Sequence, residues 1–84
     1  MLELYQFEGC PYSAQVRLKM SEWEIDYVLR NVSQDKSKRE RLKNVSGQND
    51  VPTLVDSWHN VVIAGDDKKI IAHLRKHYPP HAQP

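Results

Sequence analysis

The segment Cys10-Pro11-Tyr12-Ser13 holds the only cysteine of the chain and lies between a strand-like and a helix-like segment. The first N–H groups of a helix lack intrahelical partners, and together with the helix dipole they favour a thiolate over a thiol. Pro11 suits the first helical turn, because its missing N–H is not needed there. Ser13 stands where a redox Cys-x-x-Cys motif would place its second cysteine. The pattern therefore predicts a single activated thiol at the start of a helix.

The length and composition of the chain limit what it can form. Its 84 residues suffice for one small domain, and 12 Lys and Arg nearly balance 11 Asp and Glu. This balance argues against nucleic acid or an acidic membrane as a partner. No apolar run approaches the roughly 20 residues that span a bilayer, and residues 1–20 lack the pattern of a signal peptide. A single cysteine forms no internal disulfide, so we expect a cytoplasmic protein in a reducing compartment.

Hydrophobic patterning and turn residues predict seven elements. They are a strand at 2–7, a helix of about three turns from Pro11, a strand at 25–30, a helix at 34–45, a hairpin of strands 53–56 and 60–63, and a helix from Asp66 or Asp67 to Tyr78. A strand–helix–strand unit gives a parallel pair through a right-handed crossover, and the closing hairpin is antiparallel. The order β-α-β-α-β-β-α therefore predicts an α/β fold with a four-stranded mixed sheet and helices on both faces. We expect one domain at 1–78 and a disordered tail at 79–84.

Apolar spacing predicts which faces of these elements are buried. The first helix, the second strand, the second helix and the last helix each carry apolar side chains on one side. In chain order these are Val16, Met20 and Trp23; Ile25, Tyr27 and Leu29; Leu42 and Val45; and Ile70, Ile71, Leu74 and Tyr78. The second helix has the fewest anchors, so we expect it to make few tertiary contacts.

Three motifs in this order resemble the glutaredoxin branch of the thioredoxin-like fold. They are Cys10-Pro11-Tyr12-Ser13 after the first strand, Val51-Pro52-Thr53 before the hairpin, and Asp66-Asp67 at the start of the last helix. The chain is also similar to the amino-terminal, glutathione-binding domain of glutathione transferases. The resemblance covers about residues 2–78 and implies a thioredoxin-like fold with glutathione as co-substrate.

The resemblance implies a role for each residue of the first motif. Cys10 would be the nucleophile that attacks the sulfur of a glutathione mixed disulfide. Ser13 has no thiol with which to resolve that disulfide, so a monothiol cycle remains, in which a second glutathione releases the first. Ser13 would either donate a hydrogen bond to the thiolate or be a tolerated polar residue of the first turn. Tyr12 would pack beside the bound tripeptide.

The other two motifs would bind the rest of glutathione. Pro52 would follow a cis peptide bond, and the Val51 backbone would pair with an extended glutathione as a strand does. Asp66 and Asp67 lie where the family binds the γ-glutamyl end: helix N–H groups would hold its carboxylate and an Asp its ammonium. The alternative is that these aspartates only cap the helix.

Two features depart from the family pattern. Glutaredoxins usually carry Lys three residues before the cysteine, where this chain has Phe7, and Glu8 adds a negative charge that opposes a thiolate. The histidines 59, 73, 77 and 81 have no assigned acidic or thiol partner, so we interpret them as surface residues and expect no metal. Trp58 in the hairpin turn is either packed under the loop or part of a partner surface.

Three functions are compatible with these residues. The first is a monothiol, glutathione-dependent thiol–disulfide oxidoreductase that removes glutathione from proteins through Cys10. The second is a non-catalytic glutathione- or partner-binding domain of the transferase amino-terminal type. The third is an iron–sulfur carrier, which ranks last because such proteins usually read Cys-Gly-Phe-Ser and keep the Lys. The expected partners are glutathione and glutathionylated or disulfide-containing proteins, and the expected state is a monomer.

Overall fold

A computed structural model describes residues 1–79, which form one mixed sheet and three α-helices. The elements are β1 (Leu2–Gln6), α1 (Pro11–Glu22), β2 (Val28–Asn31), a 3₁₀ turn (Lys36–Lys38), α2 (Glu40–Ser46), β3 (Thr53–Asp56), β4 (Val61–Ala64) and α3 (Asp67–His77). Within this part of the chain, no helix combines the length and the apolar character needed to cross a membrane.

The strand order is β2-β1-β3-β4, with β1 and β2 parallel and the other two pairs antiparallel. The parallel pair follows from the crossover through α1, and the β3–β4 pair is the predicted hairpin, closed by a turn in which Asn60 has φ +55°. The predicted α/β architecture is therefore confirmed.

One face of the sheet carries the main hydrophobic core, which packs against α1 and α3. Its fully buried side chains come from the first and third strands and from both helices: Leu2, Leu4, Val16, Met20, Leu54, Ile70 and Leu74. Trp23, Ile71 and Tyr78 are partly buried and pack against this core, as the helical spacing predicts. The two helices that begin at the first and third motifs are thus fixed to the sheet by apolar burial.

Helix α2 lies on the opposite face. Tyr5 alternates with Leu4 along β1, so its ring points away from the main core, and the Arg41 guanidinium lies 5.6 Å from its centroid. Leu42 is fully buried there, whereas Val45 is exposed. One of the two predicted apolar anchors of this helix is therefore buried, and the sheet has helices on both faces.

The second strand begins at Val28, three residues later than predicted. Helix α1 ends at a Trp23 cap, Glu24 takes a positive φ of +54°, and the Ile25 N–H donates to the Met20 carbonyl at 2.9 Å. This turn occupies the residues before Val28, where pairing with β1 starts. Ile25 still packs on the core, whereas the predicted inward-facing Leu29 is 40% exposed.

The predicted helix at 34–45 is interrupted. The backbone leaves helical geometry at Arg39, which separates the 3₁₀ turn from α2. The buried Arg39 guanidinium donates to the carbonyls of Ser33 (2.8 Å), Gln34 (3.2 Å) and Asn49 (2.8 Å). These bonds connect the segment before α2 to the loop after it. They are tertiary contacts, which a local sequence pattern does not reveal. Of the predicted tail at 79–84, all but Pro79 lies outside the described residues.

Candidate functional site

The thiol of Cys10 lies at the N-cap of α1. Its backbone is extended, its N–H donates to the Phe7 carbonyl at 3.1 Å, and its Sγ accepts the Ser13 N–H at 3.4 Å. Pro11 occupies the start of the helix, and no acidic residue lies in the first turn. The sulfur therefore lies at the start of α1 and caps the backbone of its first turn.

The neighbours of the thiol in the motif differ in exposure. Cys10 itself is only 6% exposed, and Ser13 is fully buried, whereas Tyr12 is 62% exposed. The Ser13 backbone N–H, and not its hydroxyl, contacts the sulfur, and Ser13 Oγ has no hydrogen-bond partner among the described residues. The Tyr12 ring is therefore free to lie against a ligand, and one buried hydroxyl beside the thiol is unsatisfied.

Two charged groups near the motif are already engaged. The Arg39 guanidinium lies 5.3 Å from the centroid of the Phe7 ring, the residue that replaces the family's lysine. The Glu8 carboxylate lies 3.6 Å from the Arg17 guanidinium, which also bonds the Gln6 side chain. Arg17 thus partly offsets the negative charge that the sequence placed beside the thiol, although an exposed pair of this kind is weak.

The Val51–Pro52 peptide bond is cis, as the resemblance implies. The Val51 N–H and carbonyl form no hydrogen bond with the described residues, since the strand pairing starts at Thr53. The Thr53 hydroxyl donates to the Asp50 carbonyl at 2.6 Å and fixes the preceding turn. A backbone with an unpaired N–H and carbonyl beside a sheet is suited to pairing with a peptide-like ligand.

Asp66 caps α3, because its Oδ1 accepts the Lys69 N–H at 3.0 Å. This is the alternative role considered for it, and Asp66 Oδ2 forms no hydrogen bond with residues 1–79. Asp67 is the first residue of the helix. The Gly65 N–H donates to the Pro52 carbonyl at 2.9 Å, so the start of α3 is bonded directly to the proline loop.

The three motifs lie at one end of the sheet. Tyr5, near the end of β1, pairs with Thr53, and Thr53 also pairs with Ala64. The segments after β1, before β3 and after β4 are therefore neighbours, and these segments carry Cys10, Pro52 and Asp66. The structure thus brings the sequence-predicted residues to a common edge.

A second cluster lies at the other end of the sheet, and the sequence analysis did not anticipate it. The fully buried Asp56 carboxylate accepts hydrogen bonds at Oδ2 from His59 Nδ1 (2.7 Å), His73 Nε2 (2.9 Å) and the Tyr78 hydroxyl (2.9 Å). Burial raises the pKa of Asp56, but these three bonds, together with a fourth from the His59 backbone N–H, outweigh it and hold the pKa at about 2. Burial and the bond to Asp56 raise the pKa of Tyr78 to about 12.

The interpretation of these histidines as surface residues was therefore wrong for His73, whose side chain is 9% exposed. The His77 ring lies 4.2 Å from that of His59 and 4.5 Å from that of His73, between centroids. Partial desolvation, followed by the nearby His59 and His73, lowers the pKa of His77. The available signal was the spacing of His73 and His77 by one helical turn, but the sequence did not identify Asp56 as their partner.

Trp58, in the β3–β4 turn, is 69% exposed and lines an open groove with Trp23, Ile25 and Tyr78. It is therefore not packed under the loop. Of the two alternatives, the exposed position agrees with the second, although nothing in the described residues identifies a partner.

A family model described as glutaredoxin matches residues 2–58, which include the first two motifs. The chain belongs to the glutaredoxin family. An uncharacterized glutaredoxin-like 8.6 kDa protein in the rubredoxin operon of Clostridium pasteurianum is 30% identical over 54 residues, which cover 64% of this chain and 72% of that protein. This glutaredoxin-family chain thus has a relative of similar size.

Solved structures of glutathione transferases have the same fold as this glutaredoxin-family chain. The enzyme from the Antarctic clam Laternula elliptica is 29% identical with a TM-score of 0.78, and isozyme E7 from Drosophila melanogaster is 31% identical with a TM-score of 0.77. Each match covers 93% of this chain but only 35% of the transferase. The likeness is to their amino-terminal thioredoxin-like domains, so the chain spans about a third of those enzymes.

Proposed function

We propose that this chain is a glutathione-dependent thiol–disulfide oxidoreductase that uses Cys10 as its single nucleophile. The observation that carries the proposal is the position of the Cys10 sulfur at the start of α1, where it accepts the Ser13 N–H at 3.4 Å. A thiolate is the attacking species in disulfide exchange, and a helix start favours it. The glutaredoxin family to which the chain belongs adds the substrate class.

The proposed cycle has two exchange steps. In the first, the Cys10 thiolate attacks the glutathione sulfur of a protein–glutathione disulfide, a Cys10–glutathione disulfide forms, and the protein thiolate leaves. In the second, the thiolate of another glutathione attacks the glutathione sulfur on Cys10, which frees the Cys10 thiolate and yields oxidised glutathione. Since Ser13 holds the place of a resolving thiol, the reducing equivalents of the cycle come from this glutathione, and Cys10 ends in its starting state.

Four groups would bind the tripeptide. The unpaired Val51 backbone, held by Pro52, would pair with its central peptide units. The N–H groups at the start of α3 and the free Oδ2 of Asp66, together with Asp67, would hold the carboxylate and the ammonium of the γ-glutamyl end. The exposed Tyr12 ring would cover one side.

The test is turnover of a glutathionylated peptide with excess glutathione, for the wild type and for Cys10→Ser. We expect Cys10→Ser to abolish turnover, because a hydroxyl does not replace a thiolate in disulfide exchange. Ser21→Ala is the matched control, since Ser21 is exposed in the last turn of the same helix. Turnover that persists in Cys10→Ser would refute the proposal.

A second function is favoured by two specific observations, and the same assay separates it from the first. Phe7 replaces the family's lysine, so no cation at that position stabilises a thiolate, and Cys10 is only 6% exposed, so a substrate reaches its sulfur less easily. If glutathione shifts the NMR signals of Val51 and Asp66 without turnover, the chain is a glutathione-binding domain of the transferase amino-terminal type.

We also propose the cytoplasm as its compartment and the monomer as its working state, because the mechanism needs a reduced thiol and only one chain.

A further inference from the structure

The cluster around Asp56 is separate from the thiol site. Asp56 pairs with Leu2 at the beginning of β1, whereas Cys10 follows the end of that strand at Gln6. The four steps from Leu2 to Gln6, at about 3.3 Å each, place the two sites about 13 Å or more apart. What the cluster does is therefore independent of the proposed disulfide chemistry.

The cluster brings together two imidazole nitrogens and a carboxylate oxygen. His59 Nδ1, His73 Nε2 and an oxygen of Asp56 all lie within 4.8 Å of one another. Imidazole and carboxylate ligands in this ratio suit zinc and its neighbours among the divalent transition metals. We propose that Asp56, His59 and His73 form a binding site for one divalent metal ion of the zinc type.

The geometry requires only a small adjustment. The separations of Asp56 Oδ2 from His59 Nδ1 and from His73 Nε2 are 2.7 Å and 2.9 Å. Ligand atoms around a tetrahedral zinc ion, at about 2.0–2.1 Å from the metal, lie about 3.3 Å apart. A metal ion would replace the protons now shared between these atoms, and each of these two separations would lengthen by about half an ångström. His59 lies on an exposed turn, so this movement meets little resistance.

The surroundings of the three ligands match those of a metal site. The Tyr78 hydroxyl donates to Asp56 at 2.9 Å, and the His59 backbone N–H donates to the other carboxylate oxygen at 3.3 Å, so the carboxylate is held by outer groups. The His59 side chain is 34% exposed, which leaves an entry path for the ion. The His77 ring is adjacent to the rings of both histidines, so His77 or a water molecule would supply the fourth ligand. The ion would join the β3–β4 turn to α3.

The test is titration of the tag-free, metal-free chain with Zn²⁺ by calorimetry, and with Co²⁺ by visible absorption. We expect one ion per chain, tetrahedral Co²⁺ bands, and a rise in the midpoint of thermal unfolding when Zn²⁺ is present. His59→Gln and His73→Gln should each weaken binding by roughly tenfold or more. Cys10→Ser is the matched control, because it removes the single thiol of the chain, which lies at the other end of the sheet, and it should leave metal binding unchanged.

Three results would overturn the proposal. They are no binding with Zn²⁺ in large excess, binding that is lost in Cys10→Ser, and binding that His59→Gln leaves unchanged. His59→Gln decides the test if His73→Gln fails to fold, since His59 lies on the exposed turn. Circular dichroism of each variant establishes that it is folded before titration.

Discussion

Substitution of Gly65 by alanine should disrupt the contact between the loop that contains Pro52 and the start of α3. Gly65 has φ +67°, and a Cβ built on it would lie 2.8 Å from Asp50 Cβ. Its N–H also holds the Pro52 carbonyl. Gly47 provides a matched control, because it has a similar φ of +75° and nothing within 4 Å of its Cβ position.

The magnitudes follow from these two positions. An alanine at positive φ costs about 1–2 kcal/mol, so Gly47→Ala should reduce the free energy of unfolding by about that amount. Gly65→Ala adds the overlap with Asp50 Cβ, which is close to the backbone and moves only with the loop. Overpacking of this kind costs a further 1–3 kcal/mol or so. We therefore expect Gly65→Ala to destabilise the fold by about 2–5 kcal/mol.

The assay is urea unfolding, followed by tryptophan fluorescence and circular dichroism. The double variant Gly65→Ala with Asp50→Gly removes the overlapping atoms, so it should recover the steric part and show a coupling of about 1–3 kcal/mol. Glutathione affinity should fall in Gly65→Ala and stay near the wild-type value in Gly47→Ala, since only the former displaces Pro52. Equal destabilisation by the two alanines, or a double variant without coupling, would refute the reasoning.

Three further predictions concern buried polar groups. Asp56→Asn, measured with chelator present, should reduce the free energy of unfolding by about 2 kcal/mol at pH 7, because the pKa of Asp56 in the folded protein is about 2 against an ordinary 3.8. The stabilisation by the ionised carboxylate is present above about pH 4 and is lost as the pH falls towards 2. A gap to the wild type that stays constant down to pH 2, or an equal gap for the exposed Asp26→Asn, would contradict this. Ser13→Ala should leave urea stability unchanged or raise it by about 1 kcal/mol, because it removes a buried hydroxyl with no partner among the described residues; a clear loss of stability would show that the hydroxyl is bonded. Arg39→Met should cost about 2–4 kcal/mol in the same assay, because it leaves three carbonyls without their donor, whereas Arg41→Met at an exposed position should cost far less; similar losses would contradict the role of Arg39.

The sequence was sufficient to predict the architecture because, in most elements, the spacing of the apolar residues agrees with the residues that begin and end helices and strands. Pro11 starts α1 and Asp66 caps α3 as predicted, and Val16, Met20, Ile70 and Leu74 are buried at the spacing of a helix. These signals are local: each depends on residues within a turn or two. General rules of connection likewise predicted the parallel pair around α1 and the antiparallel closing hairpin.

The errors arose where distant residues decide the local structure. Arg39 interrupts the predicted helix because its side chain is bonded to carbonyls on both sides of α2, at Ser33 and Asn49. His73 is nearly buried because its ring is hydrogen-bonded to the carboxylate of Asp56, which lies at the end of β3, 17 residues before His73 in the chain. Neither contact has a periodic signature, so the sequence alone predicts neither.

The surroundings of Cys10 show how the family's missing lysine affects the argument about the thiol. Arg39 places a positive charge against the Phe7 ring, but its hydrogen bonds all go to backbone carbonyls, so it is not a free donor for a ligand as a lysine would be. Arg17 partly offsets Glu8. The contact that remains at the sulfur is the one with the start of α1, through the Ser13 N–H. In the proposed oxidoreductase, reactivity at Cys10 would therefore depend on this backbone geometry rather than on a mobile cation, and turnover should be less sensitive to ionic strength than in a relative that keeps the lysine.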